Sequence, residues 1–242
     1  MTPAVWSVQW RLALARKRVF ILNFVVPLTV VLPVATGAVP PGAAAGVYVV
    51  LFAAFAMFGS AIPLRWDGQR GMSARVVRAG VGASNYLLQR AVAGALLDTL
   101  QLTPALLLAA LAVGASPRDV LVVLPALAAT VWVCGLVGII VAATSRSVTE
   151  TALFAAVTVP LLAHMSGVFR TSAQGSYQAL LEDGSPFRAL HEGLLDMTVG
   201  APAGGGGALL AWAILLPMAV GLLGPRLHAG LARVSRGGLE GA

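Results

Sequence analysis

Val120 to Ala143 reads VLVVLPALAATVWVCGLVGIIVAA, a run of 24 residues without a charge. The hydrocarbon core of a bilayer takes about 20 apolar residues of helix to cross. No water reaches the backbone there, so a segment of this kind satisfies its N–H and C=O groups by coiling into a helix. Outward from this run, five further stretches match it in length and apolarity: 19–38, 47–64, 91–113, 151–169 and 208–224. The sequence therefore predicts an all-α polytopic membrane protein with six transmembrane helices, built as one membrane domain over residues 1–242.

Composition agrees. Hydrophobic residues make up 58% of the chain and charged residues 10%, whereas soluble domains carry about 25% charged residues. The net charge of +7 does not call for nucleic acid, because Lys and Arg flanking membrane spans stay on the cytoplasmic side and account for the surplus. Thirteen of the sixteen basic residues sort one way: Arg11, Arg16, Lys17 and Arg18 before the first stretch; Arg65, Arg70, Arg75, Arg78 and Arg90 between the second and third; Arg146 after the fourth; Arg226, Arg233 and Arg236 after the last. Both termini are thereby expected in the cytoplasm. Residues 170–207, with Glu182, Asp183, Glu192 and Asp196 against Arg170 and Arg188, are expected outside.

Residues 3–18 mix apolar residues with Gln9, Arg11, Arg16, Lys17 and Arg18, and place Trp6 and Trp10 four apart. That pattern suits an N-terminal interfacial helix. A cleavable signal peptide is the weaker reading, since its removal would break the alternation of charge. Two gaps are long. In the inner one, Met72, Val76 and Val77 between Arg75 and Arg78 predict a short amphipathic helix, with Ser84 as the N-cap of the next. In the outer one, Tyr177, Leu180 and Leu181, then Ser185-Pro186, then Phe187, Leu190, Leu194 and Leu195 predict a short outer helical pair over 174–198.

Chemistry is sparse. Lys17 is the only lysine and has no glycine loop beside it, so the chain lacks a phosphate-binding loop. Zinc-protease and nucleophile-elbow motifs are likewise absent from the sequence. No catalytic residue, metal site or cofactor of its own is expected, and the lone Cys134 reads as a core residue. Asp98 and His164 are the two ionisable groups within spans, where such groups are costly and functional by default. Asp98 reads first as a structural pair with a basic group, and His164 beside Ser166 and Gly167 as a minority candidate for a proton relay. Glu150 reads as a complement to the N-terminus of the fifth helix. Tyr48, Phe52, Phe55 and Phe58, with Phe154, Met165 and Phe169, form stripes that serve either packing or an apolar path.

The interfacial helix, the stretch from Arg70-Gly71-Met72 to Arg78 followed by Ser84 to Arg90, the outer Ser166-Gly167-Val168-Phe169, Ser185-Pro186-Phe187 and His191-Glu192-Gly193-Leu194 together resemble the membrane subunit of ABC-2 type exporters. The resemblance spans nearly the whole chain. It departs at Asp67 and Gln69, where a glutamate often sits, and at Ala79-Gly80, where many members have proline. It implies a permease subunit in the bacterial inner membrane, paired with a second permease subunit, itself or a relative, and seated on an ABC ATP-binding subunit that holds ATP and Mg. The segment 65–84 would be the coupling segment, with Asp67, Gln69, Arg70, Met72, Arg75, Val76, Val77 and Arg78 meeting the ATPase. Phe52, Phe55, Phe154, Met165 and Phe169 would flank the substrate path. The cargo class would be a drug-like, natural-product or lipid-like amphiphile. An ion-coupled secondary transporter or channel using Asp98 and His164, and a non-transporting scaffold, are the alternatives.

Overall fold

The computed structural model describes residues 17–169, 176–200 and 206–232, with Ser7, Trp10, Arg11, Leu14 and Ala15 as isolated positions before them. Among the described residues there are nine α-helices and no strand. Six are long and apolar enough to cross a membrane. They are α1 (Lys17–Pro33, prolonged by a π-helical turn at Val34–Ala38), α2 (Pro41–Gln69), α4 (Ala83–Ala112), α5 (Pro117–Thr144), α6 (Val148–Met165) and α9 (Gly207–Ala232). Three short helices lie between them: α3 (Met72–Arg78), α7 (Tyr177–Asp183) and α8 (Arg188–Val199). Most of the interfacial stretch 3–18 lies outside the described residues, although its isolated described positions and Lys17 are helical.

Alternation places the arginine-rich connections at one end of the bundle and the short turns with α7 and α8 at the other. These are called the basic and acidic ends below. At the core, α2 packs on α5 and α6, while α5 also carries α4 and α9. Small residues allow the close approaches. A Cβ at Gly138 of α5 would collide with Ser60 and would lie 2.9 Å from the Met57 carbonyl oxygen of α2. One at Gly224 of α9 would lie 2.6 Å from the Ser84 Cα of α4.

Several local expectations change. The second helix runs to Gln69, so residues 65–69 form its last turns and are not part of a separate segment. After Pro63 nothing breaks the i→i−4 ladder until Gly71, whose φ is 68°. Ser84 is not a cap: Gly82 holds that position, and the Ser84 hydroxyl donates to the Gly221 carbonyl of α9 at 2.6 Å. The fifth helix stops at Met165, because Gly167 turns the chain with φ 70°. Its N-cap is Ser147, whose Oγ accepts from the Glu150 N–H at 3.0 Å while the Glu150 carboxylate accepts from the Arg146 N–H at 2.5 Å. The last helix continues to Ala232, carrying Arg226 and His228 beyond the expected boundary at 224.

Candidate functional site

At the basic end, α3 hangs between two glycine joints, Gly71 at φ 68° and Gly80 at φ 95°. A side chain at either position would strain the backbone. Ser73 is fully buried, and Val76 packs with Val81 against the cluster formed by Leu64, Tyr86, Leu87 and Leu231. Met72, Arg75 and Arg78 are exposed. The expected apolar face of Met72, Val76 and Val77 is thus divided. Val76 is spent on the chain's own core, Val77 is half-buried, and the face left open is Met72 followed by two arginines.

The remaining coupling candidates also separate. Asp67 pairs with Arg90 of α4 at 2.8 Å, which ties the two helices that flank α3 to each other. Arg70 lies over the Trp66 ring at 4.9 Å from its centroid, a cation–π contact on the exposed surface. Gln69 is half-buried.

Arg65 carries a role that its count among topogenic arginines hides. It is fully buried, donating from Nη2 to the Arg146 carbonyl at 2.7 Å and from Nη1 to the Gly230 carbonyl at 3.4 Å. One guanidinium therefore joins the end of α2 to the α5–α6 turn and to α9. A Cβ at Gly68 would lie 3.0 Å from the Leu231 carbonyl oxygen, so α9 is held against this same end of α2. The only sequence signal was a single arginine one residue beyond an apolar run.

At the acidic end, α8 is anchored through Phe187, Leu190 and Leu194, all fully buried against the main core. Ser185 does not cap it. Its Oγ shares a short hydrogen bond with Ser166 and accepts from the Phe187 N–H at 3.3 Å. Gly167 makes room for Glu182, whose carboxyl carbon would lie 2.7 Å from a Cβ there. Arg188 bonds to Asp183 and, at 2.6 Å, to Glu192, and these partners raise its pKa further. Burial lowers the pKa of His191. Trp212 of α9 donates to the Gly184 carbonyl at 2.8 Å and fastens the α7–α8 turn to the bundle.

The five candidate path residues do not form one lining. Phe52 is wholly buried in the core, because α2 is enclosed by α5 and α6 on that side. Phe55 faces a chamber on the other side of α2. Phe154, Met165 and Phe169 are exposed on and just beyond α6, at 40%, 41% and 58%. His164 is exposed on α6 and takes no part in the chamber that holds Asp98. Asp98 itself is buried, and among the described residues no ion pair joins it to a basic group. The structural pair expected for it is therefore not made.

Six membrane-crossing helices, with a short helix suspended at one end and a helical cap at the other, define a transporter-type membrane domain. The chain matches the family model of the ABC-2 type transporter over residues 3–198. It belongs to that family, as its membrane-spanning permease component. No curated protein matches it closely enough to serve as a relative.

Proposed function

We propose that this chain is half of the membrane pathway of an ATP-driven exporter in the bacterial inner membrane, with both termini cytoplasmic. A second permease subunit, a copy or a relative, would face it through the exposed side of α6. An ABC ATP-binding subunit, holding ATP and Mg, would dock on α3. The cargo would be an amphiphile of drug-like, natural-product or lipid-like character. The observation that carries this reading is the suspension of α3 by two glycine joints from helices that Asp67–Arg90 and Arg65 lock to the bundle. A push on α3 is then passed to α2, α4, α5 and α9 together, without being absorbed in a loose loop.

The ion-coupled alternative loses its support where Asp98 and His164 part company. The test is co-purification from native membranes followed by reconstitution. The purified chain should turn over no ATP, and a co-purifying ATP-binding subunit should show turnover that responds to the permease. ATP hydrolysis by the chain alone, or recovery of the chain without any ATP-binding partner, refutes the proposal.

A further inference from the structure

Between α1, α2 and α4 lies a chamber of about 550 Å³, within the roughly 300–1,000 Å³ range of small-molecule sites. It runs along the middle of the bundle, from Pro63 and Arg90 on the side of the basic end to Leu51 and Gln101 on the side of the acidic end. α1 leans on α4 far more than on α2, so the chamber lies along the looser of these seams.

Its walls are mostly apolar, with a few polar groups among them. Asp98 is 8% exposed and presses on the α2 backbone at Gly59, where a Cβ would lie 3.1 and 3.3 Å from the two carboxylate oxygens. Gln101, one turn on, is 4% exposed and its Oε1 has no hydrogen-bond partner. Asn23 of α1 lines the same space. Arg90, the one cation in the lining, is held by Asp67 at the basic end. An acidic group and an unused acceptor are thus left without a positive partner, in surroundings where each unpaired polar group is costly.

Phe55 and Phe58 add two aromatic rings to the lining, and rings attract cations through their faces. A calcium or magnesium ion would find too few oxygens in so apolar a space, since such ions take about six or more. An organic cation with a hydrocarbon body matches both parts.

We infer that this chamber binds the ammonium head of a lipophilic amine, with Asp98 and Gln101 as acceptors and the Phe55–Phe58 wall against its apolar body. This rests on the exporter reading only for its meaning as a cargo site; the binding itself is measurable without a partner subunit. Gly94 gives an independent handle. It lines the chamber, and a Cβ there would meet nothing within 4 Å.

The experiment titrates the full-length chain in phosphatidylcholine nanodiscs with dansylcadaverine, whose primary amine is charged, and with its N-acetyl derivative, which has the same body and no charge. Empty nanodiscs correct for partition into lipid. Wild-type protein should bind the amine at least about tenfold more tightly than the neutral analogue, as expected where a site's hydrogen-bonding groups would otherwise be left unpaired. Asp98→Asn should erase that preference, and Gly94→Leu, which fills the space while keeping the carboxyl group, should abolish binding of both probes. Equal affinity for the two probes in wild type overturns the inference and needs no variant to fold. So does undiminished amine binding in a folded Asp98→Asn or Gly94→Leu protein. Recovery of the chain without an ATP-binding subunit would instead sink the exporter reading, leaving the binding result intact.

Discussion

Arg65 shows how much one side chain can carry in a membrane protein. Its guanidinium is fully buried and supported by carbonyls of Arg146 and Gly230, and a charge-assisted hydrogen bond is worth about 1.5–3 kcal/mol. Arg65→Met should therefore lower the thermal midpoint in detergent by several degrees, and Arg65→Lys should rescue little, because a point charge does not reproduce the planar fork. A wild-type midpoint for Arg65→Met would show that the α9 end is held by packing alone. His191 gives a pH handle at the other end. Burial disfavours its charged form, an effect that Glu192 opposes and Arg188 reinforces. Its folded pKa thus lies below the unfolded value of about 6.5, so its stability contribution is complete above that pH and shrinks as pH falls toward the folded pKa. Between about pH 7.5 and about pH 5.5 the wild-type midpoint should drop more than that of His191→Gln. Equal slopes in melting curves would remove His191 from the account.

Among the elements, α3 is where the sequence said most and still misled. The spacing of Met72, Val76 and Val77 announced an amphipathic helix, and a helix is there. Periodicity reports that a face is apolar, however, and not which body covers it; Val81, three residues beyond the helix, turns back onto Val76, its N–H donating to the Val76 carbonyl at 3.4 Å. The open surface is mixed, with Met72 followed along it by the basic Arg75 and Arg78. Reversing both arginines to glutamate should therefore weaken ATP-binding-subunit capture at least as much as Met72→Ala, with the loss growing at low salt. Val76→Ala should instead lower the melting point and spare capture among the molecules that remain folded. Both are read by co-purification and thermal unfolding on one set of variants. Capture unchanged by charge reversal would move the docking surface elsewhere. The caps show the same limit: Ser116 with Asp119 is a capping box that the local sequence spells out, whereas Ser84 and Ser185 look like caps and bond across to other elements.

For the molecule as a whole, the fold class was open to reading because apolar length and charge placement are properties of the chain before it folds. The six crossings lie where the apolar runs do, although α2, α4 and α9 overrun theirs: the hydrophobic pattern marks what lipid covers, and backbone hydrogen bonding can continue past it. The chamber at Asp98 was not legible, since it needs α1, α2 and α4 brought together, and no local pattern encodes which faces meet. The arginines predict the orientation. On a background lacking Cys134, a cysteine at Arg75 should react with an impermeant maleimide only after cells are opened, and one at Tyr177, which is 75% exposed, should react in intact cells. The reverse pattern would invert the whole assembly.

The Arg65 junction also bears on how such a chain is made. Its guanidinium lies 81 residues before the Arg146 carbonyl and 165 before that of Gly230, so the second partner is synthesised long after Arg65 itself. Until then a buried-to-be cation stands open at the membrane surface. A nascent chain that stalls or is clipped before α9 therefore carries a visible mark of incompleteness, which gives membrane proteases a basis for telling an unfinished permease from a finished one.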